Sequence, residues 1–357
     1  KSTNAAKSHY RFAFANNSEL KNVEYDAEIC GYLLNASSSD YSVDKLCSEY
    51  QVHYYSEHEN FKDLLSLRPL LAEALIPQLE SEGLIPLLRD IEMPLTEVLA
   101  SMEHYGVKTD INGVRDFGVS LSEMIKETSQ AVYDDAEHTF NISSPKQLAV
   151  VLFEELRLPA KKKTKSGYST NAEVLEELRN ENPIVENILK YRQYTKLNST
   201  YVDGLLKTVA DDGRIHTCFK QTETRTGRIS STEPNMQNIP VRTELGREMR
   251  KVFIADEGNV LLDADYSQIE LRVMAHLCGD ENMISAFNNN LDIHTSTAAQ
   301  VFDMPVEMVT SEMRSAAKAV NFGIIYGIGA FSLSKDINVP IYKAKKYIED
   351  YMNNFPK

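Results

Sequence analysis

The sequence predicts an α+β protein of more than one domain, and three observations carry that expectation. At 357 residues the chain is long enough for two or three domains with substantial cores. Strand-like patterns are short and few: the alternation of Arg214 to Phe219, and the apolar run Val260 to Ala264, which reads as a buried strand. Helical patterns fill the long stretch from Asp110 to Tyr201 and resume after Asp265.

Charge is unevenly distributed. The net charge is −14, yet residues 1–140 carry −13 of it and the remaining 217 residues only −1. Basic residues cluster at Lys161-Lys162-Lys163 with Lys165 and from Arg225 to Lys251, so an acidic protein can still present locally positive surface to phosphate. The four cysteines (Cys30, Cys47, Cys218, Cys278) form no CxxC pair and no metal-ligand spacing, which predicts free thiols in a reducing compartment. No signal peptide is apparent, and no apolar run approaches the ~20 residues of a membrane span. A soluble, intracellular protein without membrane partners is expected.

Residues 1–89 are helical and acidic, with a loop at Ser37-Ser38-Ser39-Asp40. Ile91 to Leu95 opens an amphipathic helix that places Leu95, Val98, Leu99 and Met102 on one face and stops at Gly106. Long helices follow from Asp110, interrupted at Ser143 to Leu148 and by the basic loop Lys161 to Thr170. Such a loop is either simply solvated or neutralises phosphate. Arg192 and Lys196, four apart, share a helix face. Asp211-Asp212-Gly213 reads as a turn into the strand at Arg214. The segment Thr224 to Arg242 is then a loop dense in Arg, Asn, Gln and Ser. Minor-groove acceptors are common to all base pairs, so Asn and Gln donors aimed there would test pair shape without reading sequence.

Asn259 to Leu277 is strand, acid, turn and helix in succession, with Asp265 at the strand end and Ile269, Val273 and Leu277 recurring every four residues. That arrangement can hold a metal-binding carboxylate at a sheet edge, although an Asp there equally serves as a helix N-cap. Downstream, MRSAAKAVNFGIIYG spaces Arg314, Lys318 and Phe322 four apart, within ~80° of helical arc. Gly323, Gly327 and Gly329 in this run cost ~1 kcal/mol each relative to Ala, which suggests close approach or a hinge.

DYSQIELR (Asp265 to Arg272) and RxxxKxxxFGxxYG (Arg314 to Gly327) together resemble motifs A and B of the family A (DNA polymerase I-like) DNA polymerases. The similarity runs from about Ile91 to the last residue, and more loosely over the first ninety. It implies a right-hand polymerase fold of thumb, palm and fingers, preceded by an α/β 3′–5′ exonuclease-like (ribonuclease H-like) domain and C-terminally incomplete. The expected divisions are 1–89 exonuclease-like, 90–110 palm, 111–205 thumb, 206–281 palm with motif A, and 282–357 fingers with motif B. YDAEICGYLLN (Tyr25 to Asn35) resembles part of the exonuclease domain, with Asp26 at a metal-carboxylate position. No DxE strand motif precedes it and no YxxxD motif follows, so the domain reads as degenerate and Asp26 as a vestige or a surface acid.

The resemblance further implies a DNA-templated DNA polymerase that transfers dNTPs onto a primer 3′-hydroxyl, with primer–template duplex and dNTPs as partners. Two Mg²⁺ ions, replaceable by Mn²⁺, would sit about 3.5–4 Å apart. Asp265 would bridge them and the Tyr266 carbonyl would be a further ligand; Asp263, outside the motif, is incidental. Nucleotide contacts fall to Gln268, Glu270, His294, Arg314, Lys318, Phe322 and Tyr326. Lys318 would protonate the leaving pyrophosphate, Glu270 would exclude a ribose 2′-hydroxyl, and His294 would bind phosphate when charged. The DNA track would comprise Arg192, Lys196, Asn198, Ser199, Thr200, Arg228, Asn235, Gln237, Asn238 and Arg242. The family's second metal carboxylate belongs to a later segment. The isolated chain is therefore expected to be inactive without its C-terminal part, which could be a separate partner fragment; the alternative is a non-catalytic primer–template-binding fragment. A cytoplasmic, nucleoid-associated bacterial protein is implied. A single-subunit RNA polymerase would share the metal logic, but Glu270 as a sugar filter speaks against it.

Overall fold

In the computed structural model the described residues are 5–53, 61–159, 163–164, 167–241, 243–337 and 339–357. They fall into two compact units, Lys1–Leu261 and Leu262–Lys357.

The first unit is built on three apolar clusters. The N-terminal cluster packs helices Ala5–Ala15, Ala27–Leu34, Val43–Glu49 and Phe61–Ser81 around Ile29, Leu46, Leu71, Leu75 and Leu79. Each such buried aliphatic side chain contributes about 1.5–3 kcal/mol. The described residues before Val107 form no strand, so the sheet expected of an exonuclease-like α/β domain is not among them. Asp26 is neither exposed nor idle. It is 4% exposed, caps helix Ala27–Leu34 by accepting from the amides of Glu28 (2.9 Å) and Ile29 (3.3 Å), and also accepts from Ala6 N (2.9 Å). Burial requires this full set of donors, which corrects the expectation of a surface acid.

Helix Met93–Tyr105 also turns a different face inward from the one its apolar residues predict. Val98 and Met102 are exposed, whereas Thr96 and Glu103 are buried beside Leu99. The reason is hydrogen bonding. Thr96 Oγ1 donates to Gln221 Oε1 (3.0 Å), whose amide in turn donates to Glu92 Oε2 (2.7 Å). Glu103 accepts from Lys7 Nζ (2.7 Å) and Phe219 N (2.8 Å). The helix ends at Gly106, φ 62°, where a Cβ would lie 2.8 Å from the Ile215 carbonyl.

The long helix Ile111–Ala136 packs on Pro183–Lys196, and a second cluster around Leu148, Leu152, Leu175 and Ile188 fills the space beneath them. A third cluster, including Val114, Leu121, Tyr201 and Ile215, joins helix Ile111–Ala136 to the short strands. Val107–Lys108 pairs antiparallel with Arg214–Ile215, and Cys218–Lys220 with Ser230–Thr232, so the expected strand at 214–219 forms as two pieces.

The regular elements described in the second unit are all helical, among them Ile269–Cys278, Glu281–Asn288, Ile293–Val301, Ser311–Ile325, Ala330–Asp336 and Ile341–Asn354. Leu271, Ala275, Phe287, Val320, Ile324 and Tyr351 are among its core residues. Two expectations fail here. Val260 to Ala264 is not a strand: Val260 is 86% and Leu262 89% exposed. No described segment pairs with it, and an extended segment without a partner leaves its backbone groups to water. In helix Ile269–Cys278 the buried stripe is Leu271 and Ala275, while Ile269, Val273 and Leu277 are exposed. Gly327, φ 79°, terminates helix Ser311–Ile325: its amide donates to the Ile324 carbonyl (2.9 Å) and that of Ile328 to the Gly323 carbonyl (2.8 Å). This is a C-terminal cap that needs a left-handed residue, which accounts for Gly327 without a hinge.

All four cysteines are free. No described helix is long and apolar enough to cross a membrane.

Candidate nucleotide site and nucleic-acid interface

Asp292 organises the second unit. It precedes helix Ile293–Val301, accepting from the amides of His294 (3.0 Å) and Thr295 (3.4 Å) and from the Thr295 hydroxyl (3.0 Å). The same carboxylate receives Arg314 Nε (2.5 Å) and Gln268 Nε2 (3.2 Å). One acid thus ties the turn after Asp265 to the basic helix Ser311–Ile325. Burial alone would raise its carboxyl, but the hydrogen bonds from Arg314 and Thr295 outweigh that and hold it below the ordinary value. Gln268, in the left-handed conformation (φ 54°), keeps a buried Oε1 with no hydrogen-bond partner among the described residues.

His294 is 1% exposed and its orientation is fixed from behind. Asn321 Nδ2, which can only donate, lies 2.8 Å from His294 Nδ1, and Asn321 Oδ1 accepts from the Thr297 hydroxyl at 3.0 Å. Nδ1 is therefore an acceptor and the proton of the neutral ring sits on Nε2. That Nε2 is buried without a hydrogen-bond partner among the described residues. Burial pushes the imidazole below its ordinary pKa; Arg314 and Lys318 add to the effect and Asp292 opposes it. His294 is thus built as a neutral donor, whereas the sequence suggested that it meets phosphate only when charged.

The His294 and Phe322 rings lie 5.7 Å apart, and Lys318 Nζ stands 5.8 Å from the Phe322 centroid. Gln268, His294, Arg314, Lys318 and Phe322 therefore form one connected cluster with Asp292 and Asn321. Asp265 and Tyr266 lie on the exposed approach to helix Ile269–Cys278, Glu270 is half-buried in its first turn, and Tyr326, 69% exposed, follows helix Ser311–Ile325. Among the described residues no three acidic, histidine or cysteine side chains converge on a possible metal position. Two divalent ions need several converging carboxylates, so the acids present here do not by themselves fit a two-ion site.

In the first unit, Arg192, Lys196 and Ser199 line one groove with Ser143, Tyr168 and Thr170. The Arg192 guanidinium donates to the Thr170 carbonyl (2.5 Å) and hydroxyl (3.3 Å), and burial lowers its pKa. It braces the groove as well as lining it. Lys196, Ser199 and Thr200 are exposed and Asn198 is half-buried.

The polar loop is held partly by its own side chains and partly by tyrosines outside it. Asn235 Oδ1 accepts from Gln237 N (3.0 Å), Gln237 Nε2 donates to the Ile229 carbonyl (2.8 Å), and the Tyr201 hydroxyl donates to the Asn238 carbonyl. Arg228, Asn235, Gln237 and Asn238 are all exposed. Arg242, Lys161, Lys162 and Lys165 lie outside the described residues.

The sequence assigned no role to Asp292, Asn321 or Thr297. Asn321 carried a usable signal: it occupies the inward stripe Ala317-Val320-Asn321-Ile324, where a polar side chain needs a buried partner.

Comparison with known proteins places this geometry. A family model described as DNA polymerase family A matches residues 112–357. The DNA polymerase I of Bacillus subtilis is 44% identical over 358 residues, covering 94% of this chain and 41% of its own length. The thermostable DNA polymerase I of Thermus aquaticus is 51% identical over 279 residues, covering 77% of this chain and 34% of its own. The chain thus spans at most about two fifths of the length of these relatives. A solved structure of the POL domain of Pol1 from M. smegmatis, in complex with DNA primer-template and dNTP, superposes with a TM-score of 0.88 at 37% identity. It covers 99% of this chain and 63% of that one. By both sequence and fold, the chain belongs to DNA polymerase family A.

Proposed function

We propose that this chain supplies the nucleotide- and duplex-binding surfaces of a DNA-templated DNA polymerase that adds deoxynucleotides to a primer 3′-hydroxyl. The observation that carries this reading is the cluster joining Gln268, His294, Arg314, Lys318 and Phe322 through Asp292 and Asn321. A triphosphate needs cations and neutral donors within one reach, and an apolar surface for the sugar and base. Asp292 grips Arg314 by Nε, which leaves both Nη groups as donors to phosphate oxygens. His294 adds an Nε2–H, Phe322 a ring face, and exposed Lys318 a mobile ammonium that can protonate leaving pyrophosphate.

Family A polymerases depend on divalent metal generally, and that metal would polarise the phosphate. Asp265, exposed beside this cluster in sequence, is the residue offered to it, with the Tyr266 carbonyl. Primer–template duplex is assigned to the groove of Arg192 and Lys196 and to the loop of Arg228, Asn235, Gln237 and Asn238. The solved relative's complex with primer-template and dNTP supports both partner classes. A magnesium-dependent primer-extension assay tests the proposal, run on this chain and on a version lengthened to the span of the relative's POL domain. Incorporation that follows the template base supports it. Addition that ignores the template, or no extension in either form, overturns it.

A further inference from the structure

We propose that Tyr32 is a positioning residue for the duplex-binding loop, through which the N-terminal helical cluster holds the arginines of Thr224 to Arg228 in place; the assignment of that loop to DNA rests on the proposed function. Tyr32 lies on helix Ala27–Leu34 and is 4% exposed. Its hydroxyl donates to the Thr224 carbonyl at 2.7 Å and accepts from Gly227 N at 3.1 Å. One phenol oxygen therefore closes both ends of a tight turn nearly two hundred residues away in sequence.

The anchor is itself braced. The Tyr41 ring meets Tyr32 edge-on at 5.9 Å, and the Tyr41 hydroxyl is bound to the Asn35 carbonyl at 2.7 Å. On the loop side, the Thr224 hydroxyl donates to the Arg228 carbonyl at 2.7 Å and Gly227 takes a positive φ of 77°. Between these tethered backbone groups Arg225 and Arg228 are exposed. A cation contributes to phosphate binding in proportion to how little freedom it loses on binding, so a clamp on the turn favours the bound arrangement. The N-terminal segment, whose sequence resembles an eroded nuclease, thereby gains a present use: it is a scaffold for the polymerase loop.

Tyr32→Phe keeps the ring and removes only the hydroxyl. Trypsin cleavage after Arg225 and Arg228 reads opening of the turn directly, and fluorescence anisotropy with a primer–template duplex reads binding. Cleavage should accelerate, and duplex affinity should fall, by about five- to tenfold, the factor expected from losing one or two ordinary hydrogen bonds. In an Arg225→Ala/Arg228→Ala background the same change should have little further effect on affinity, because the clamp acts through those side chains. Unchanged cleavage rates overturn the clamp. A loss of affinity that persists undiminished in the double-arginine background overturns the positioning role. A wild-type chain that fails to bind duplex overturns the polymerase reading instead, and leaves the clamp to be judged by cleavage alone.

Discussion

Replacing Asn321 with leucine removes the side chain that touches both Thr297 and His294 while roughly preserving volume. Asn321 is 0% exposed, His294 1% and Thr297 8%, so water cannot take over the two lost hydrogen bonds of 2.8 and 3.0 Å. Each orphaned buried group costs about 1–3 kcal/mol. The leucine offsets part of that by burying apolar surface, which leaves an expected loss of about 2–4 kcal/mol, measured by urea unfolding. Asn321→Asp should act differently. It can still accept from Thr297, but its carboxylate has no N–H for Nδ1 and instead favours an imidazolium, so the His294 pKa, followed by proton NMR, should rise. Stability of Asn321→Leu within about 0.5 kcal/mol of wild type, the range of an ordinary surface substitution, would refute the relay and with it the assigned tautomer.

Two further outcomes can be measured, the first on the same cluster. His294 has a folded pKa below its unfolded value of about 6.5, so the protein contribution to stability is fully present above that pH and is lost as pH falls toward the folded value. Wild type should therefore destabilise more steeply than His294→Gln over that interval, and parallel pH profiles would contradict the assignment. Glu270→Ala should raise ribonucleotide relative to deoxynucleotide incorporation in the extension-competent form; unchanged sugar discrimination removes Glu270 from the sugar pocket.

Local signals in the sequence were legible wherever a local interaction decides the outcome. Gly106 ends its helix in a left-handed conformation, φ 62°, that favours glycine. Asp110 starts the next by accepting from Gly113 N at 3.0 Å. The four-residue spacing of Arg314, Lys318 and Phe322 survives because it depends on one helix alone. What misled was non-local. The run Val260 to Ala264 has a strand's composition, but a strand exists only with a partner, and composition does not contain one. Helix Ile269–Cys278 carries two apolar stripes, and its packing partners select Leu271 and Ala275 over Ile269 and Val273. Polar networks were the hardest to foresee. Glu103 and Thr96 turn inward on helix Met93–Tyr105 for hydrogen-bond partners more than a hundred residues away in sequence, and Asp292 becomes a hub only once Gln268 and Arg314 are folded beside it.

The most direct test of the nucleotide site is a crystal structure of the chain bound to primer–template and a complementary dNTP. Phosphate oxygens should lie within hydrogen-bond distance of Arg314, Lys318 and His294 Nε2, with the nucleotide sugar against Phe322. A triphosphate bound elsewhere, or one that leaves His294 Nε2 unpaired, would contradict it.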